Sequence, residues 1–169
     1  MTDHLRIALA QLNPVVGDIE GNMAMLINSR KEAAQKSVEL LVASELSITG
    51  YPPEDLVLRR EFISKVEEAV LHLAAKTGDS GPGLLIGAPW RDEGKLYNAA
   101  LLLDEGKVTA RRYKHELPNY GVLMNKEFLK PAHWQARCLF VASGWGSCFA
   151  RICGLRMSQK HLQNQVRKY

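Results

Sequence analysis

Residues 84–113 read LLIGAPWRDEGKLYNAALLLDEGKVTARRY, and three short apolar runs in this stretch, Leu84 to Ala88, Asn98 to Leu103 and Val108 to Tyr113, suit β-strands. The last two flank Asp104-Glu105-Gly106-Lys107, a hairpin signal. Upstream the chain alternates instead. Leu5 to Leu12 is an apolar run ended by Asn13-Pro14, which suits a buried strand followed by a turn. Gly17-Asp18 and Gly21-Asn22 lead into Met23, Leu26, Ile27, Ala33 and Ala34, whose spacing is helical as far as Ser37. Leu40 to Ala43 makes a second strand, and Phe62, Ile63, Val66, Ala69, Val70 and Leu73 mark one face of a second helix closed by Gly78. The order β-α-β-α-β-β-β predicts an α/β fold with a mixed sheet and helices on one face. No internal repeat, low-complexity segment or glycine-rich phosphate loop interrupts it.

The 169 residues, 46% hydrophobic and 24% charged, suffice for one globular domain with a core and exclude collagenous, disordered and coiled-coil chains. No apolar run reaches the ~20 residues needed to span a bilayer, and Met1-Thr2-Asp3-His4 lacks the layout of a signal peptide, so a cytoplasmic location is expected. Three cysteines without Cys-x-x-Cys spacing indicate neither a disulfide framework nor a metal site. The net charge of +4 is unevenly distributed: residues 1–122 hold 14 basic against 17 acidic side chains, and residues 123–169 hold 8 against 1. All three cysteines (Cys138, Cys148, Cys153) fall in the second part, so the composition breaks near Val122.

Two segments could carry chemistry. In Ser44-Glu45-Leu46-Ser47-Ile48-Thr49-Gly50-Tyr51-Pro52-Pro53-Glu54-Asp55-Leu56 an acid closes a buried strand ahead of a turn-rich loop. Sites form at such strand ends, and a partly desolvated glutamate there suits a general base; the alternative is a structural cap or ion pair. In Arg111-Arg112-Tyr113-Lys114-His115-Glu116-Leu117-Pro118-Asn119-Tyr120-Gly121 a lysine leaves a strand into a loop, where it could hold a developing oxyanion; the alternative is a solvated basic strand edge. His115 has no second His or Cys at ligand spacing and reads as a surface or hydrogen-bonding residue.

Leu5 to Gly21 (LRIALAQLNPVVGDIEG), Ser44 to Leu56 (SELSITGYPPEDL) and Tyr113 to Val122 (YKHELPNYGV) together closely resemble the amino-terminal glutaminase domain of the glutamine-dependent NAD synthetases, a branch of the nitrilase or carbon-nitrogen hydrolase superfamily. The resemblance implies a nitrilase-like α-β-β-α sandwich, here truncated, with a Glu-Lys-Cys triad. By motif match, Glu45 would be the general base, Lys114 would stabilise the tetrahedral intermediate, and Tyr51 and Tyr120 would line a glutamine pocket. The family's cysteine thiolate attacks the glutamine amide, releases ammonia and leaves a thioester for water. The resemblance implies no cofactor for that step. ATP and Mg²⁺ would serve a carboxy-terminal synthetase domain that amidates deamido-NAD. That domain is expected to be absent from this chain, and intact relatives are expected to be homo-oligomers.

Past Val122 the family pattern stops. It continues Phe-Asp-Glu, then Gly-Pro-Leu, then a strand ending Cys-Glu-Asp-Met/Ile-Trp; this chain has Leu123-Met124-Asn125-Lys126 and later Phe149-Ala150-Arg151-Ile152-Cys153-Gly154. The genetic code supplies a reason. If one base is lost near Leu123, each true codon is the last base of one written codon plus two of the next. Met124-Asn125 then necessarily contains GAA, a glutamate, and Leu123-Met124 permits GAT, so Phe-Asp-Glu returns. Pro131 to Arg137 permits Gly-Pro-Leu-Ala-Gly-Pro, and Phe149 to Gly154 permits TGC-GAG-GAT-ATG-TGG, which is Cys-Glu-Asp-Met-Trp. Residues 123–169 are therefore read as an aberrant, out-of-frame tail in which Ala150 occupies the slot of the nucleophile. Such a tail is expected to leave Trp134, Phe140 and Trp145 poorly packed.

The function expected from this reading is a fragment of the glutamine amidohydrolase domain, inactive as written. One alternative is a stand-alone nitrilase-type amidase using Cys148 or Cys153. Another is a non-catalytic interaction or nucleic-acid-binding protein exploiting the basic tail, although weak salt-dependent binding is a property of any such tail. No nucleic acid, membrane or metal is expected as a partner.

Overall fold

The computed structural model describes residues 4–114. Their order follows the hydrophobic periods: strand β1 (Ile7–Leu9), helix α1 (Ile19–Gln35), β2 (Leu40–Val42), helix α2 (Arg60–Lys76), then β3 (Gly83–Asp92), β4 (Lys95–Asp104) and β5 (Lys107–Tyr113). Short 3-10 turns at Glu54–Leu58 and Thr77–Asp79 bracket α2. The sheet order is β1-β2-β3-β4-β5. The first three strands are parallel, and β4 is antiparallel to both β3 and β5. Consequently β1, β2, β3 and β5 all end at the same edge of the sheet, where β4 begins.

Side-chain alternation divides the sheet into two faces. Leu41, Leu84, Ile86, Ala88, Ala99, Leu101 and Leu103 face the helices and form the main core with Leu26 and Ala33 of α1 and Val66, Val70 and Leu73 of α2. Leu40, Leu85 and Leu102 make a smaller cluster on the other face, bordered by Val42, Ala100 and Ala110. On β1 only Ala8 joins the helix side, while Ile7 and Leu9 are exposed.

Three local expectations change. The first strand is confined to Ile7–Leu9 rather than Leu5 to Leu12, because β2, its partner, is itself only three residues long. Helix α1 begins earlier than its apolar residues suggest, at Ile19, with Asp18 Oδ1 accepting from the Gly21 amide (2.9 Å) as an N-cap. Strands β3 and β4 run on into a hairpin at Glu93-Gly94, where the backbone turns left-handed (φ 46° and 74°). Glu105-Gly106 does the same (φ 52° and 78°) at the hairpin read from the sequence. Tyr120, Ala150, His115, the three cysteines and the aromatic residues of the tail lie outside the described residues.

Candidate active site

Glu45 sits just beyond the end of β2, where Ala43 N–H donates to the Leu85 carbonyl (2.8 Å) and the chain then turns away. The turn is tight: Leu46 adopts a left-handed conformation (φ 51°), and the Thr49 amide closes onto the Leu46 carbonyl (3.1 Å). Its backbone lies directly on β3 at Gly87. A Cβ at that position would lie 2.7 Å from Glu45 Cα and closer still to the Leu46 nitrogen, so only glycine lets the turn lie there.

A second loop holds the turn from outside. Asn22 of α1 is 1% exposed. Its Oδ1 accepts from Val15 N–H (2.8 Å), and its Nδ2 donates to the carbonyls of Val15 (2.8 Å) and Ile48 (2.9 Å). Gly17 N–H donates to the Thr49 carbonyl (2.9 Å), and Gly50 (φ 75°) packs against the Val16 backbone. Tyr51 lies on this pinned loop, half-buried and joined to Pro52 by a cis peptide.

Lys114 follows β5 and is held by the ladder, its amide donating to the Asn98 carbonyl (2.8 Å). One residue before each, Tyr97 and Tyr113 stack diagonally across the two strands with centroids 4.4 Å apart, and the Tyr113 hydroxyl donates to Asp92 (2.6 Å). Burial, reinforced by that hydrogen bond to a carboxylate, holds the Tyr113 phenol well above the usual tyrosine range. With Tyr113 fixed toward the helices, alternation turns Lys114 to the opposite face.

There the two sequence-selected residues meet. Lys114 Nζ lies 2.7 Å from Glu45 Oε1, with the lysine side chain 23% and the glutamate 10% exposed. Asn98 Nδ2 donates to the same oxygen (2.6 Å). Glu45 Oε2 is buried and accepts no hydrogen bond among the described residues. A carboxylate and an ammonium in contact and largely out of water can accept a proton at one point and stabilise negative charge at another. Asn98 and Gly87 were not singled out in the sequence. The available signals were an amide inside the apolar strand Lys95–Asp104 and a glycine inside the apolar strand Gly83–Asp92. Among the described residues no three His, Cys, Asp or Glu side chains gather as metal ligands, and no helix is long and apolar enough to cross a membrane.

The profile of the carbon-nitrogen hydrolase family matches residues 6–155. The chain is 40% identical over 127 residues to the glutamine-dependent NAD(+) synthetase of Thermotoga maritima, covering 75% of this chain and 22% of that protein. It is 41% identical over 122 residues to that of Rhodobacter capsulatus, covering 72% and 22%. Among solved structures, the glutamine-dependent NAD+ synthetase of Acinetobacter baumannii superposes with a TM-score of 0.73 at 30% identity, over 81% of this chain and 26% of that one. An amidase from Nesterenkonia sp. AN1 superposes with a TM-score of 0.66 at 24% identity and shares the fold. The aligned part of the chain thus spans 22% of the length of each of these two synthetases.

Proposed function

The chain belongs to the carbon-nitrogen hydrolase family, and on that premise we propose that residues 1–122 are the amino-terminal part of the glutamine-hydrolysing unit of a glutamine-dependent NAD synthetase. The observation that carries the reading is the half-buried contact between Glu45 and Lys114, 2.7 Å long, in a chain whose relatives bear that name. In this mechanism a cysteine thiol gives its proton to Glu45, and the thiolate attacks the side-chain amide of glutamine. Lys114 stabilises the oxyanion that forms, Glu45 passes the proton on to the amide nitrogen as the C–N bond breaks and ammonia departs, and water, giving a proton to Glu45, hydrolyses the thioester to glutamate and the free thiol. Tyr51 and Tyr120 would border the substrate. No cofactor enters this step; ATP and Mg²⁺ belong to the amidation of deamido-NAD by the remainder of the longer synthetases. The setting is cytoplasmic.

On the same reading residues 123–169 are translated out of frame and Ala150 stands where the thiol belongs. Its methyl cannot attack, so the covalent route is removed rather than slowed. The expected outcome is no ammonia from glutamine with the 169-residue chain, and ammonia release once one base is restored near codon 123 so that translation continues through Cys-Glu-Asp. One observation favours a second reading: the family match runs past residue 122 to residue 155 and so includes Cys148 and Cys153. If the tail is divergent but in frame, one of these thiols could serve a stand-alone amidase. Ammonia release by the unrepaired chain, abolished by Cys148→Ser or Cys153→Ser, would establish that reading.

A further inference from the structure

The two oxygens of Glu45 are treated unequally. Oε1 lies within hydrogen-bond reach of both Lys114 Nζ (2.7 Å) and Asn98 Nδ2 (2.6 Å), whereas Oε2 is buried with no donor among the described residues. A buried acceptor left without a donor is costly, and in a native structure it calls for an explanation such as a catalytic role. Asn98 is itself only 3% exposed. An ionised carboxylate only accepts, so the amide must present its NH₂ group to it.

The two donors arrive by design of the sheet. Asn98 and Lys114 are adjacent across β4 and β5, joined by the 2.8 Å bond from Lys114 N–H to the Asn98 carbonyl. The residue before each, Tyr97 and Tyr113, is turned to the helix side, and the two rings stack there. That stack fixes the ends of both strands and thereby the direction of the next side chain on each. Lys114 alone would not distinguish the two oxygens, since an ammonium is a rotatable point charge on a flexible stem. A planar amide on a strand does.

Resting on the hydrolase reading above, we infer that Asn98 is a positioning residue for Glu45: with Lys114 it occupies Oε1 and assigns Oε2 as the oxygen that receives the proton of the nucleophile. In that transfer the S–H bond breaks, an O–H bond forms at Oε2, and the electron pair remains on sulfur as the thiolate. The two donors at Oε1 hold the carboxylate plane still while this happens.

The geometry can be tested without turnover in the isotopically labelled 169-residue chain by NMR. One Asn98 side-chain amide proton is expected well downfield of its geminal partner, and its shift should follow pH with the same midpoint as the Glu45 carboxyl carbon. In Glu45→Gln that pH dependence should vanish. An Asn98 amide that does not titrate with Glu45 in the unsubstituted chain overturns the inference, whether or not the variant folds. Turnover supplies a second measurement in the frame-restored protein. There Asn98→Ala should lower kcat by about 10- to 100-fold, the scale of a small misplacement of a reacting group, with KM within about twofold. An unchanged kcat, or a loss confined to KM, overturns the positioning role. If the frame-restored protein releases no ammonia even before substitution, the hydrolase reading fails instead, and the NMR titration alone decides the role of Asn98.

Discussion

Gly87 fixes how closely the Glu45 turn can lie against β3. Its backbone is ordinary strand, so the requirement is for space rather than for an unusual conformation: an added Cβ would sit 2.7 Å from Glu45 Cα. Gly87→Ala should therefore force two backbones apart and lower stability by about 1–3 kcal/mol, the usual cost of overpacking. Urea unfolding measures this; a change below a few tenths would show that the turn can shift freely. Asn22 acts on the same turn from the other side. It satisfies both polar groups of Val15 and the carbonyl of Ile48. Asn22→Leu would leave these backbone groups without their partner, at about 1–3 kcal/mol for each one that stays buried. The same variant should speed amide exchange at Val15, whose N–H donates to Asn22.

At the scale of elements, the tetrapeptide Asp-Glu-Gly-Lys occurs twice, at 92–95 and 104–107, and makes a hairpin both times. Only the second was read as one in the sequence. The first interrupts a strand that runs from Gly83 to Asp92, longer than its apolar core, so the turn signal falls outside the run that identified the strand. At Gly94 an added Cβ meets nothing within 4 Å, but φ is +74°. Gly94→Ala should then cost about 1–2 kcal/mol from backbone strain alone and leave the Glu45–Lys114 contact unchanged. Comparing its loss of stability with that of Gly87→Ala separates the two uses of glycine. Helix α1 is a second case. Its buried stripe is Ile19, Asn22, Leu26, Arg30 and Ala33, so two polar residues occupy the core-facing row. The apolar spacing draws the face through Met23, Leu26, Ile27, Ala33 and Ala34: Leu26 and Ala33 are buried and Met23 and Ile27 pack against the core in part, but Asn22 and Arg30 escape a reading in which apolarity stands in for burial.

At the scale of the molecule, Arg30 ties α1 to the connection between α2 and β3. Its Nε donates to the Pro82 carbonyl (2.7 Å), and its two terminal nitrogens grip Asp79 (3.0 and 2.5 Å). The hydrogen bonds from Arg30, then that from the Gly81 amide, hold the Asp79 carboxyl well below the usual carboxylate range. A depressed carboxyl stabilises the fold above the unfolded pKa of about 3.9, and that contribution is lost as pH falls through the folded value. The Asp79 side chain is 60% exposed, so solvent screening limits the gain to about 1 kcal/mol or less. The unsubstituted chain should exceed Asp79→Asn by that margin at neutral pH, with the difference shrinking only below about pH 4. Urea midpoints from pH 7 downward give the curve, and a margin independent of pH would remove the ion pair from the account.

The sequence by itself determined the order of the elements, the hairpin at Glu105-Gly106, the family, and Glu45 and Lys114 as the residues worth pairing. Those are properties of local period, turn chemistry and short motifs, each written within a few consecutive residues. Only the tertiary structure decided that Asn98 shares Glu45 with Lys114, that Gly87 admits the turn, and that Asn22 and Arg30 are core residues. Asn98 and Lys114 stand 53 and 69 positions from Glu45. What brings them to one oxygen is the register of β4 against β5, together with the direction in which β2 ends. Register is set by pairing across the whole sheet, so no window of sequence contains it.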